Sequence, residues 1–263
     1  MMEYFKWNAD PIMLKVGFLQ FYWYGLFFVG SFVIGSWILK KIYINEGKDP
    51  EILETLFIYI IVGATVGARL AHCFFYDPSY YLANPLKILA IWEGGLASHG
   101  GIVGLLLGTW LFTKKYNESF MWLISRLAIP ATFAGAMIRM GNFMNSEIVG
   151  KPTDVPWAVI FQRLDNIPRH PSQLYESLAH LIIFIILLLV YRNVKPAFAT
   201  KLIAALCFIG VFGTRFFLEY FKTKQASYTT DISLSTGQLL SVPFIMLGVL
   251  LLIWAFVSEK KKS

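Results

Sequence analysis

The residues best equipped for chemistry crowd into one stretch, Ile138-Arg139-Met140-Gly141-Asn142-Phe143-Met144-Asn145-Ser146-Glu147-Ile148-Val149-Gly150. On a continuing helix Arg139, Asn142 and Asn145 or Ser146 share one face, because residues three and four apart are neighbours there. Gly141 and Gly150 permit turns or close backbone contacts. An arginine that only anchors a helix end would account for Arg139, but not for the amides and the carboxylate beside it.

Other candidates are spread along the chain. Arg215 and Glu219 are four residues apart, the spacing at which opposite charges pair along a helix, and an arginine so held can meet an anionic ligand. His99 stands between Gly94-Gly95 and Gly100-Gly101. Those glycines serve helix packing or admit a substrate beside the imidazole; packing explains the glycines but not the titratable ring. Arg69 and His72 share a helix face close enough to a span end for snorkelling. Glu176 and His180 lie one turn apart after Ser172, a candidate helix cap. For His180 the favoured reading is a hydrogen-bonded core residue.

These residues must be positioned by elements that lipid solvates. Of 263 residues, 57% are hydrophobic and 15% charged, against roughly 25% charged in a soluble domain. Apolar windows long enough to cross the hydrocarbon core, about 20 helical residues, fall at 16–39, 52–75, 96–112, 121–140, 174–191, 202–220 and 238–257. The expectation is an all-α polytopic membrane protein, one transmembrane domain over residues 1–263 with about seven transmembrane helices. The third and fourth are interrupted by glycines and by Pro130, so they can bend or break. Residues 146–173, with four prolines, read as an ordered external segment between helices 4 and 5. No internal repeat of the transporter kind is visible.

Charges at membrane depth cost at least about 2.5 kcal/mol on insertion scales, which singles out Arg69, Arg126, Arg139 and Arg215. The remaining basic residues set orientation. Eleven, from Lys40 and Lys41 to Lys261 and Lys262, fall on one side, against eight, among them Lys151 and Lys224, on the other. The N-terminus is thus expected outside and the C-terminus cytoplasmic. The formal charge of +7 is scattered at span ends, which argues against nucleic acid. Cys73 and Cys207 read as core thiols, and no cleavable signal pattern precedes the first span.

The chain resembles the prolipoprotein diacylglyceryl transferases, bacterial membrane enzymes that lipidate the cysteine of lipoprotein precursors. Arg139 to Gly150 is similar to the family signature Gly-Arg-x-Gly-Asn-Phe-x-Asn-x-Glu-x-x-Gly, with Ile138 in place of the first glycine. Tyr22-Trp23-Tyr24-Gly25, His99-Gly100-Gly101, Arg169-His170-Pro171-Ser172-Gln173-Leu174-Tyr175-Glu176, Arg215 with Glu219, and Gly237-Gln238 support it.

The resemblance implies transfer of the diacylglyceryl group of phosphatidylglycerol to the lipobox cysteine of a prolipoprotein signal peptide, releasing glycerol phosphate. The setting is the bacterial cytoplasmic (inner) membrane. By the resemblance Arg139 and Arg215 hold the phosphate and His99 is the general base. Tyr24, Asn142, Glu147 and Gly150 join Arg139 in binding the lipid, and Asn145, Glu176 and Glu219 support them. No metal or soluble cofactor is implied. An anionic-lipid transporter or flippase would use the same arginines without chemistry. An intramembrane protease is set aside for want of its motifs.

Overall fold

A computed structural model describes residues 3–223 and 234–260; Lys224, Lys261 and Lys262, which entered the charge count, lie outside them. Among the described residues the long helices are α1 (Trp23–Asn45), α2 (Ile52–Phe75), α4 (Ser98–Lys115), α5 (Phe120–Met144), α6 (Ser172–Asn193), α7 (Pro196–Leu218) and α8 (Thr236–Lys260), with a short α3 (Pro78–Ala83). The chain is an all-α polytopic membrane protein. Its surface is apolar, with Phe32, Val33, Ile58, Val103 and Ile253 exposed, while Ser31, Thr109, Ser125, Gln173 and Ser241 are buried. Lipid solvates the first set, and the second finds partners only inside.

Among the described residues six helices are long and apolar enough to cross a membrane by length and composition; α4, at the third expected span, is not one of them. Its 18 residues rise about 27 Å, close to the roughly 30 Å of a hydrocarbon core, but His99, the glycines and Lys114 and Lys115 make it less apolar than the others. The first helix begins at Trp23 rather than residue 16, because β2 (Ile12–Val16) and β3 (Leu19–Tyr22) pair as an antiparallel hairpin. Gly17, at φ +60°, supplies the left-handed turn residue between them.

The residues group into two compact units. One comprises Met1–Leu39 and Ser125–Ser263. In it α7 packs against both α6 and α8, and α1 lays Gly35 against Pro130 of α5. A small sheet joins β1 (Phe5–Trp7), β4 (Val159–Phe161) and β5 (Pro168–Arg169), with β4 central. Val159 and Phe161 turn onto Phe143 and Val149. That cluster of bulky side chains anchors the turn after α5, where the chemistry-bearing residues lie.

The other unit, Lys40–Ile124, is organised by α2 against α4. Glycines let their backbones touch: a Cβ on Gly67 would stand 2.4 Å from the Gly100 carbonyl oxygen, and one on Gly63 the same distance from that of Gly104. Such small-residue seams are how helices associate where lipid supplies no hydrophobic drive.

Candidate functional site

Helix α5 delivers Arg139 and Asn142 on one face, and Arg139 Nη1 donates to Asn142 Oδ1 at 3.1 Å. Beyond Met144 the helix stops, and the chain folds back with Ser146 and Ile148 at φ +57° and +55°. That region disfavours a β-branched residue by roughly 1–3 kcal/mol, so the surroundings must enforce it. They do: Ser172 Oγ donates to the Ile148 carbonyl at 2.8 Å and Gln173 Nε2 to the Glu147 carbonyl at 2.5 Å. Ser172 therefore braces this turn and forms no side-chain cap on α6.

The enforced turn aims the Glu147 carboxylate back at the helix end. Asn142 Nδ2 and Asn145 Nδ2 each donate to one of its oxygens at 3.1 Å. A relay results, from the Arg139 guanidinium through the Asn142 amide to Glu147. Tyr24 packs where Gly141 omits a side chain, 2.8 Å from where a Cβ would be.

From α6 comes Glu176, 4% exposed, which answers two cations. Arg139 Nε stands 2.6 Å from its Oε2 as an ion pair whose N–H does not align on the oxygen. Lys222 Nζ holds the other oxygen and lies 4.0 Å from Glu219. Sequence reasoning missed Lys222; its only local signal was its place three residues after Glu219. A buried carboxylate is tolerable only when so paired.

Arg215 and Glu219 do not pair as their spacing suggested. Glu219 is still in helical conformation and its N–H bonds to the Arg215 carbonyl, but its carboxylate turns to other partners. Glu219 instead accepts from Ser235 Oγ at 3.2 Å and packs on Gly237, whose added Cβ would lie 2.7 Å from its Oε1. Gln238 ties α8 to α7 through the Phe216 carbonyl. Arg215 is exposed and has no side-chain hydrogen bond or ion pair among the described residues.

Arg139, Arg215, Lys222, Glu176, Glu219 and His180 wall one polar cavity of about 190 Å³. Three cations against two carboxylates leave it net positive, and two are guanidiniums, whose fork suits phosphate.

Gly150 is buried in backbone contacts: its N–H donates to the His170 carbonyl at 2.9 Å, and a Cβ would lie 2.5 Å from that oxygen. Neighbouring Asp165 receives Arg169 at 2.6 Å, which holds its carboxyl below the usual range. Burial lowers His170, whose Nδ1 is 3.1 Å from Tyr175 Oη.

In the other unit, His99 opens α4 as an exposed ring. It lies on the wall of an apolar cavity of about 990 Å³ bordered by the α2–α4 glycines. Arg69 does not snorkel. It is 3% exposed and donates to the carbonyls of Lys87, Ile88, Gly94 and Gly95, fixing the loop that leads to His99. Of the other membrane-depth arginines, Arg126 is buried beside Ser125 and 5.4 Å from the Tyr191 ring.

The profile of the family described as prolipoprotein diacylglyceryl transferase matches residues 11–254. Among similar proteins is the phosphatidylglycerol–prolipoprotein diacylglyceryl transferase of Tolumonas auensis, 48% identical over 98% of each chain. That of Chloroherpeton thalassium is 45% identical over 95% of this chain and 94% of its own. That of Porphyromonas gingivalis is 40% identical over 96% and 95%.

Proposed function

The chain belongs to the prolipoprotein diacylglyceryl transferase family, and we infer that it transfers the diacylglyceryl group of phosphatidylglycerol to prolipoproteins, the first step of lipoprotein maturation. The acceptor is the thiol of the lipobox cysteine in the precursor's signal peptide. Sulfur forms a bond to the glycerol carbon of the diacylglycerol unit. The bond from that carbon to the phosphate oxygen breaks, and its electron pair leaves with glycerol phosphate. The thiol proton passes to a base, since a free thiol near pKa 8.5 is mostly protonated at neutral pH.

One observation carries the residue assignment: Arg139, Arg215 and Lys222 converge on a single polar cavity. Charge accumulates on phosphate as the carbon–oxygen bond breaks, and fixed cations there stabilise the transition state without reorganising. Arg139 and Arg215 grip the phosphate, and Lys222 adds a third charge. Glu176 and Glu219 hold these cations in place. Asn142, Asn145 and Glu147 orient Arg139, Tyr24 packs behind it, and Gly150 lets the supporting strands close. His99 is the candidate base, an exposed imidazole able to accept a thiol proton. The protein sits in the bacterial inner membrane, N-terminus outside and C-terminus cytoplasmic, with α4 as a short seventh crossing.

The test is the covalent product. Purified protein given phosphatidylglycerol and a lipobox peptide is expected to yield a thioether-linked diacylglyceryl peptide and free glycerol phosphate, read by mass spectrometry. No product, where a relative is active under the same conditions, overturns the reading.

A further inference from the structure

His180 fits the reading of a hydrogen-bonded core histidine only in part. Its Nδ1 lies 2.8 Å from the Glu176 carbonyl oxygen. A carbonyl can only accept, so Nδ1 carries the proton, and in the neutral ring Nε2 then presents a lone pair. The ring fits against α5 because Gly135 has no side chain; a Cβ there would stand 2.4 Å from Cδ2 and 3.0 Å from Nε2. The imidazole is also part of the wall of the 190 Å³ cavity, and Nε2 has no hydrogen-bond partner among the described residues.

The same wall offers further acceptors. Thr214 Oγ1 has given its proton to the Gly210 carbonyl at 2.8 Å, and Thr223 Oγ1 to that of Val149 at 3.1 Å. Their lone pairs remain. The cavity thus combines cations, which suit phosphate, with neutral acceptors, which suit hydroxyl donors. At about 190 Å³ it is far smaller than the 990 Å³ apolar cavity of the other unit, and its polar wall suits a small polyol phosphate rather than an acyl chain.

We propose that His180 Nε2 accepts a hydrogen bond from a hydroxyl of the glycerol headgroup and so selects phosphatidylglycerol over phospholipids whose headgroup has no hydroxyl. This rests on the assignment of the cavity to the departing glycerol phosphate. No bond is made or broken by His180; it is a binding residue.

The test compares phosphatidylglycerol with phosphatidylpropanol, which keeps the phosphodiester and lacks the hydroxyls. Wild-type protein is expected to favour phosphatidylglycerol in kcat/KM. His180→Leu is expected to shrink that ratio roughly two- to tenfold, the range of one hydrogen bond, and His180→Gln, which keeps an acceptor, to restore most of it. Equal losses on both lipids in His180→Leu, or an unchanged ratio, overturn the proposal.

Binding of glycerol phosphate and of propyl phosphate to the same proteins, measured by calorimetry, separates the two levels. A preference for glycerol phosphate that His180→Leu removes supports the site even if no lipid is turned over, in which case the transferase reading alone fails. Equal binding of both by wild-type protein overturns the site.

Discussion

The Arg139 guanidinium stands 2.6 Å from the Glu176 carboxylate, so the cation proposed to hold the phosphate is already partly neutralised by the protein. Glu176 also binds Lys222. On the proposed function an incoming phosphate competes with a carboxylate for two cations, whereas Arg215 has no such competitor among the described residues.

The two arginines are expected to fail differently. Arg139→Ala and Arg215→Ala should each lower kcat/KM at least about hundredfold, the loss typical of removing one transition-state donor. Only Arg139→Ala should also lower thermal stability in detergent, because it strips a cation from a buried carboxylate. Arg215→Ala, at an exposed position, should stay within about 0.5 kcal/mol of wild type. Near-normal turnover in either variant refutes its role at the phosphate.

Lys222→Met should raise KM for phosphatidylglycerol about tenfold, equivalent to about 1.4 kcal/mol of binding, while Lys222→Arg keeps the charge and most of the affinity. Initial rates against lipid concentration decide it. If Lys222→Met leaves KM alone and lowers only stability, the lysine serves Glu176 and not the substrate.

Gly104→Ala should destabilise the α2–α4 pair by about 1–3 kcal/mol. The added Cβ would lie 2.0 Å from the Gly63 carbonyl oxygen, and backbone cannot swing aside as a flexible side chain would. A melting temperature equal to wild type would mean the helices part without cost.

Stability should fall on mild acidification. Burial lowers His170 from its ordinary value of 6.5, so the unfolded chain binds the proton more readily. The folded state is fully favoured above pH 6.5 and loses ground as pH drops below it. Asp165, held down by Arg169, acts in a separate window: its contribution is complete above the ordinary 3.8 and fades as pH falls below that. Melting curves from pH 8 to 5 should slope downward for wild-type protein and flatten in His170→Asn; parallel slopes would exclude His170.

Apolar length located the long helices because lipid solvation rewards the same residues wherever they fall. It misjudged residues 16–22, where an apolar run becomes a turn and strand once Gly17 takes positive φ. The Arg139–Asn142 contact was legible because both lie on one helix three residues apart. The Arg139–Glu176–Lys222 triad was not, since its members come from separate elements and no local spacing encodes their meeting. Arg215 and Glu219 had the right spacing, but the Glu219 carboxylate meets Ser235 and Gly237 instead, which lie far along the chain. Arg69 looked like a snorkelling residue because its acceptors are main-chain carbonyls, which side-chain patterns do not record.

Arg69 also constrains how the protein is made. Its carbonyl acceptors belong to residues 87–95, which leave the ribosome after α2 is complete. During synthesis the guanidinium is satisfied only when the following loop is threaded back onto it. Insertion of α2 and closure of that loop are therefore coupled steps, and a chain truncated before residue 87 would carry an unanswered charge into the membrane.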